Sequence, residues 1–460
     1  MRLLGLQEAA WLTLESQETP MHIGGLYEFT LPDDAPSDFL REEFRRMRAQ
    51  RRIPSPWNLE LVQLPVAGSR VPMMRESRDV DLDHHIRHSA LPRPGGQREL
   101  GELISRLHAN QLDLRRPLWE VHLIEGLEDN RFAIYHKVHH SLIDGVSGMR
   151  LITRALSADP AQRGMEWFWA VGAGPSAPTD AVRAGNCGTI GHVAGAAQGV
   201  LANLTGAGRQ AISFGKSRLA GGALQTPYSS PRSPLGGGLG RHRRFATQRY
   251  RLEDLKACAR ASQSSLNEIV LYLSGTALRR YLTEHASVPS APLTAGIPVS
   301  LRRPGDQSTG TELSFMIADL GTNVADPLER LEIIKHSSTE AKAQLRSLPA
   351  NARSSQTIVV NGPYMAGLMA GLGHRSPVPF SLPVSNVPGP PEPLYCNGSR
   401  LDAVFPISLL THGNPLNITC ISYADTINFG FTGARDRVPH LQRLAVYMGE
   451  ALAEIKDVLV

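Results

Sequence analysis

Residues 131–156 pass from a strand pattern to a helix pattern across one tight turn, and that passage limits the folds open to the chain. Arg131-Phe132-Ala133-Ile134 reads as a strand, and Tyr135-His136-Lys137-Val138-His139-His140 prolongs it. Ser141 to Gly145 forms the turn, and 146–156 reads as a helix. A strand must pair and a helix must bury one face, so the expected architecture is a sheet with helices packed on it. Successive strand side chains point to opposite faces. Phe132, Ile134, His136, Val138 and His140 then share one face, and Ala133, Tyr135, Lys137 and His139 share the other. His140, beside the larger apolar residues, reads as a buried support. His139 reads as the candidate base, because imidazole titrates nearest neutrality. Asp144 stands where the helix begins, and an N-cap alone explains an aspartate there. Gly145 is expected to supply a backbone conformation that other residues resist. Two adjacent histidines are weak as a signal. Followed after three residues by Asp-Gly, between strand and helix, they favour function over structure.

At 460 residues the chain exceeds the roughly 250–300 residues at which a single core stops growing, so two domains are expected. The four cysteines, Cys187, Cys258, Cys396 and Cys420, make no CxxC pair and no zinc spacing, which fits a reduced cytoplasmic setting. Glu8 and Glu15 interrupt the apolar N-terminus and make a poor signal peptide. The two longest uncharged stretches, 184–208 and 354–373, are too rich in Gly, Asn, Gln and Ser for spanning helices. The net charge of +5 suits an anionic surface or a phosphate-bearing substrate. With no recognition motif beside it, it does not indicate nucleic acid.

Taken in order, 7–16 reads as a helix, 21–31 as a strand with Gly24-Gly25 near its start, and 41–52 as an arginine-dense helix. Asp79 to His88 gathers acids and histidines, but the alternation of Val80, Leu82 and Ile86 suits an extended segment that scatters them, so no metal site is expected. An amphipathic helix is expected over 97–113, then Arg116-Pro117-Leu118-Trp119-Glu120 and a strand over 121–124 that turns back into the histidine strand. Gly, Ala, Pro and Ser accumulate from 157 to 240, with helical pieces near 193–204. The expected division is therefore 1–156, a linker 157–240, and 241–460. In the second half, strands are expected at 243–250, 293–299, 313–320, 380–386, 403–410, 416–423 and 426–432, and helices at 252–261, 265–284, 327–346 and 438–459. Ser265-x-x-Glu268 fits a capping box. Mixed α/β sheets with helices packed on them follow.

His139-His140-x-x-x-Asp144-Gly145 resembles the HHxxxDG motif of the chloramphenicol acetyltransferase-like superfamily. Within it, the chain is similar over nearly its full length to the bacterial wax ester synthase/diacylglycerol acyltransferase family. The similar segments are PMHIGGLYEF, DLDHHIRHSALP, RPLWEVHLIEGL, HKVHHSLIDGVSGMR, the RRFA that opens the second half, PVSLRR and SNVPGP. The resemblance implies two acyltransferase-like domains with an active-site tunnel at their interface. It implies acyl transfer from long-chain acyl-CoA, a substrate rather than a cofactor, to diacylglycerol or a long-chain fatty alcohol. His139 would be the general base, with no covalent acyl-enzyme; no GxSxG elbow supplies a serine nucleophile. Asp144 would hold the loop through Arg302 or Arg303. Where the family has Asn-Asp this chain has Asn267-Glu268; Asn267 would hold the carbonyl oxygen and Glu268 is read as structural. Pro117, Leu118 and Trp119 either pack a corner or shape the acyl channel. Ser385 and Asn386 belong to a rigid turn or a channel wall. Oily acceptors imply a membrane or lipid-inclusion surface, with 357–373 and 41–52 as candidate contacts, and a homodimer is left open. The other readings are condensation on a carrier-bound acyl group and a catalytically silent lipid-coating protein. RPLWE and SNVPGP argue against the first, and the intact His139, Asp144, Gly145 and Asn267 against the second.

Overall fold

The computed structural model describes residues 2–66, 69–172, 225–300, 313–347 and 350–459. The first part of the chain runs β1 (Arg2–Leu3), α1 (Leu6–Leu14), β2 (His22–Thr30), α2 (Phe39–Arg48), β3 (Leu59–Val66), β4 (Ser69–Glu76), α3 (Leu82–His85), β5 (Ile86–Ala90), α4 (Gln97–Ala109), β6 (Trp119–Leu127), β7 (Arg131–His139) and α5 (Gly145–Arg154). The second runs β8 (Arg243–Arg251), α6 (Leu252–Ala261), α7 (Leu266–His285), β9 (Thr294–Ser300), β10 (Leu313–Asp319), α8 (Pro327–Ser347), α9 (Ala350–Met369) and β11 (Leu382–Val387). It ends with β12 (Tyr395–Cys396), β13 (Ser399–Ile407), β14 (Leu416–Tyr423), β15 (Thr426–Ala434) and α10 (Leu441–Leu459).

Two mixed six-stranded sheets carry the molecule, in the orders β12-β13-β2-β7-β6-β5 and β10-β9-β11-β14-β15-β8. A smaller sheet, β1-β4-β3, flanks them. The mixed α/β sheets expected from the alternation of patterns are present. β12 and β13 leave the second half of the chain and join the first sheet, where β13 pairs antiparallel with β2. The two sheets touch where β13 passes β15. A Cβ on Gly430 would lie 1.8 Å from the Pro406 carbonyl oxygen, so this crossing admits only glycine.

The second sheet packs on α7 and α10 around Ile269, Leu273, Phe429 and Met448, all fully buried. An aromatic core of Trp57, Trp119, Phe168 and Trp169 fills one side of the first sheet. On the other side, α4 lays Leu100 and Ile104 against Tyr135 and against Phe245 from the second half. Phe245 N–H donates to Ser105 Oγ at 2.9 Å and pins β8 to α4.

Several elements differ from the sequence reading. The segment around His84 and His85 is not extended throughout. The Asp81 carboxylate accepts the N–H groups of Asp83 and His84, at 3.1 and 3.3 Å, which nucleates α3 before β5 begins. The helix expected over 41–52 starts at Phe39 and stops at Arg48, and that expected over 97–113 stops at Ala109. The β3–β4 hairpin and α9 were not anticipated. The helical pieces near 193–204 and Cys187 lie outside the described residues.

Candidate active site

His139 ends β7, and the strands on either side hold it. β2 sets His22 opposite His139, while β6 sets Trp119 opposite Val138 and Glu120 opposite Lys137. His139 N–H donates to the Leu118 carbonyl at 2.9 Å, and His140 N–H to the Met21 carbonyl at 2.8 Å. The PMHIGG and RPLWE segments are thus the two neighbours that fix the histidine strand in place. A buried ion pair strengthens one side. Lys137, 0% exposed, sets Nζ 2.6 Å from Glu120 Oε1. It also donates to the carbonyls of Leu107, at 3.0 Å, and Asn110, at 2.8 Å. Burial would raise the Glu120 carboxyl, but His122 and Lys137 outweigh it and hold it at about 2.

The alternation along β7 separates the two histidines. His136 and His140 lie on the aromatic side. The His136 ring stacks on Tyr27 at 5.4 Å, and burial alone pushes its pKa down to about 3. The His140 ring lies 4.6 Å from Trp11. Burial lowers its pKa too, with the nearby Asp144 carboxylate opposing. His139 shares its side with Lys137. Its Nδ1 lies 2.7 Å from Ser141 Oγ and 3.1 Å from Ser141 N. Its Nε2 is buried without a hydrogen-bond partner among the described residues.

Facing Nε2 at 3.5 Å is a carboxylate oxygen of Glu15. Glu15 accepts the backbone N–H of Met21 and, at 2.9 Å, the side-chain amide of Gln111. In the sequence this acid registers only as a charge breaking an apolar run. Its place depends on β2 pairing with β7, and no local pattern announces that pairing.

Asp144 caps α5, accepting Ser147 N–H at 2.8 Å. Arg302 and Arg303, its expected partners, lie outside the described residues. Gly145 departs from expectation. It starts α5 without a left-handed φ, and a Cβ there would meet nothing within 4 Å. A regular first helical turn needs no special conformation.

Pro117, Leu118 and Trp119 are all buried. Trp119 stacks on His85 at 4.4 Å, and its Nε1 donates to the Trp57 carbonyl at 2.7 Å. The remaining residues of interest belong to the second sheet and its helices. Ser385 and Asn386 lie half-buried in β11, where Asn386 Oδ1 is 3.5 Å from Cys420 Sγ. Asn267 is half-buried in the first turn of α7. Ser265 and Glu268 form the expected capping box there, and Lys342 donates to Glu268 at 2.8 Å. Among the described residues no hydrogen bond joins Asn267, Ser385 or Asn386 to His139. The acids and histidines of 79–88 have separate partners: Asp81 meets Arg116, Asp83 meets Arg48 and His88 meets Glu125.

Comparison with known proteins matches this arrangement to a family. Residues 4–270 fit the wax ester synthase/diacylglycerol acyltransferase catalytic domain, and 309–456 fit the WS/DGAT C-terminal domain. The chain belongs to the WS/DGAT family. It is an O-acyltransferase of that family, built on a two-domain, condensation-domain-like fold. It is 35% identical to the O-acyltransferase WSD of Acinetobacter baylyi, over 100% of this chain and 98% of that protein. A Mycobacterium tuberculosis protein provisionally named diacylglycerol O-acyltransferase is 40% identical over 99% of this chain and 97% of its own. The structure of the wax ester synthase/diacylglycerol acyltransferase from Marinobacter aquaeolei VT8 superposes with a TM-score of 0.80, at 34% identity and full coverage of both chains. The first condensation domain of the calcium-dependent antibiotic synthetase shares the fold at a TM-score of 0.61 and 18% identity, covering 100% of this chain and 96% of its own. No helix among the described residues is long and apolar enough to cross a membrane.

Proposed function

We propose that this WS/DGAT chain transfers a long-chain acyl group from acyl-CoA to the hydroxyl of diacylglycerol or a long-chain alcohol, with His139 as general base. The observation that carries this reading is the buried, unbonded Nε2 of His139 with the Glu15 carboxylate 3.5 Å away. For Nε2 to accept a proton, the resting proton must sit on Nδ1, where it donates to Ser141 Oγ. In the other tautomer Nε2–H faces Glu15 and Nδ1 accepts Ser141 N–H. The first tautomer is the competent one. As the acceptor hydroxyl attacks the thioester carbonyl, its proton passes to Nε2, and Glu15 stabilises the imidazolium formed. Collapse of the tetrahedral adduct breaks the C–S bond, and the same proton goes to the departing thiolate. Ester and free CoA result, and no acyl-enzyme forms.

In this reading Asn267, at the positive end of α7, holds the thioester oxygen as it gains charge. Asp144 and His140 hold the loop, and Pro117 to Trp119 with Ser385 and Asn386 bound the acyl path. Residues 1–156 and 241–460 form the two acyltransferase-like halves, bridged by 157–240. Both acceptors are oily, so the enzyme works at a membrane or lipid-inclusion surface. The exposed Met369, at the C-terminal end of α9, and Leu372, just beyond it and near Arg375, suit that contact. The test is ester formation by purified protein from palmitoyl-CoA with dioleoylglycerol and hexadecanol in competition. Wild-type protein is expected to make ester and His139→Ala almost none. Full activity in His139→Ala would overturn the mechanism.

A further inference from the structure

His139 and His140 are covered. His139 Nε2 and His140 Nδ1 are both buried, under a strap made of α1 and the loop 15–21. Trp11 of this strap lies on the His140 ring, and Glu15 faces His139 Nε2. An acceptor hydroxyl must come within about 3.2 Å of its base, so the strap has to give way before transfer.

The far end of α9 is built as a separate piece. Pro363 lies inside this helix, where it removes one rung of the hydrogen-bond ladder. At the next rung the Tyr228 hydroxyl intrudes, donating to the Val360 carbonyl at 2.7 Å and accepting Tyr364 N–H at 3.3 Å. Tyr228 reaches in with a left-handed φ of 68°, which a bulky residue rarely keeps and which clusters at switch segments. Prolines and inserted side chains are where helices bend. Beyond this joint α9 closes in a Schellman motif at Gly371, whose φ is 77°. Leu372 N–H donates to the Gly367 carbonyl and Gly371 N–H to the Leu368 carbonyl, both at 3.0 Å. The chain then folds back so closely that a Cβ on Gly367 would lie 2.7 Å from Ser376 Oγ. Residues 364–376 thus form one compact piece on a weakened joint. Met369 and Leu372, exposed on it, show that its outer side is not packed into the core.

The segment 238–243 ties this piece to the strap. At one end Gly238 lies against His374, and a Cβ there would stand 3.3 Å from His374 Cβ. Leu239 N–H donates to His412 Nδ1 at 3.2 Å, and the Tyr364 hydroxyl donates to the His412 carbonyl at 2.6 Å. At the other end Arg243 donates to the Glu18 carbonyl, and Arg241 lies 3.8 Å from the Glu18 carboxylate. α1 also packs against α9.

We propose that residues 364–376 are a lid hinged at Pro363, that they hold the strap 6–21 down through 238–243, and that the structure is the closed state of this gate over the histidine pair. The proposal rests on the reading of His139 as the reacting group, so its test measures access to the histidines as well as turnover. In Gly238→Cys/His374→Cys the two Cβ atoms are close enough for a disulfide that locks the lid. Ester formation from palmitoyl-CoA and hexadecanol is compared in oxidised and dithiothreitol-treated protein, with thiol titration to confirm the bond and each single variant as control. Labelling of His139 and His140 by diethyl pyrocarbonate is followed by mass spectrometry of the peptide that holds them. Oxidation is expected to slow both turnover and labelling by about tenfold or more, and dithiothreitol to restore both. Tyr228→Phe, which frees the Val360 carbonyl and Tyr364 N–H at the hinge, is expected to label several-fold faster than wild type. Wild-type labelling in the oxidised lock overturns the proposal whether or not turnover falls. Should the disulfide not form, Tyr228→Phe decides alone, and labelling at the wild-type rate overturns the lid. Full activity in His139→Ala would refute the base and leave the labelling results standing.

Discussion

The Glu15 carboxylate lies 3.5 Å from His139 Nε2, and no other polar partner among the described residues reaches that nitrogen. A negative charge there favours the protonated ring formed during transfer over the neutral ring at rest. Glu15→Gln keeps the shape and removes the charge. It is expected to lower kcat by about 10- to 100-fold, within the range general-base assistance supplies, with little change in KM. Steady-state kinetics with palmitoyl-CoA checks this; unchanged kcat would limit Glu15 to a structural part.

Asn267 lies in the first turn of α7, on the opposite half from His139. If its amide meets the developing oxyanion, Asn267→Ala lowers kcat by about 10²–10³ and leaves KM nearly unaltered. Loss of the fold instead, seen by circular dichroism, would place Asn267 with the cap residues Ser265 and Glu268.

The Lys137–Glu120 pair ties the histidine strand to its neighbour. Removing one member strands a buried charge, so Lys137→Met is expected to destabilise by about 3–5 kcal/mol. Lys137→Met/Glu120→Leu is expected to recover most of that loss. Urea unfolding of the two variants measures both values, and a double variant no better than the single one would refute this account.

His136 gives a pH signature. Burial holds its folded pKa at about 3, against an ordinary value of 6.5. The unfolded chain therefore binds a proton that the folded chain refuses whenever the pH lies between those values. The contribution of His136 is fully present above about pH 6.5 and declines as pH falls toward 3, by about 1.4 kcal/mol per unit. His136→Phe removes that slope and keeps a ring against Tyr27. Its Tm is expected to fall less steeply than wild type between pH 6.5 and 5; parallel curves would count against a neutral buried His136.

Much of the fold and part of the candidate site could be read in the residues. Period-two alternation through Phe132, Ile134, His136 and Val138 gave the two faces of β7, and so separated His139 from His140. The β14 strand has its predicted bounds, and β15 its predicted start, because Ala424-Asp425 marks the turn between apolar runs. Non-local pairing was not legible. Nothing near Glu15 indicates that β2 lies beside β7, so its approach to His139 went unseen. Trp119 gave two readings because a large ring suits a core or a channel, and its stacking on the His85 ring is compatible with either. Gly145 misled through composition, as glycine often marks a special φ, and here only open space lies before it.

The β12–β13 hairpin crosses from one sheet to the other. It makes the protein a mutual clasp rather than two beads on a string. Were the chain cut before residue 395, β2 would lose its outer neighbour and become an exposed edge beside the histidine strand, a site prone to pairing with other chains. Neither half is therefore a smaller version of the enzyme. Gene fusion, truncation or swapping of halves between relatives must carry that hairpin with the sheet it completes, not with the sequence it follows.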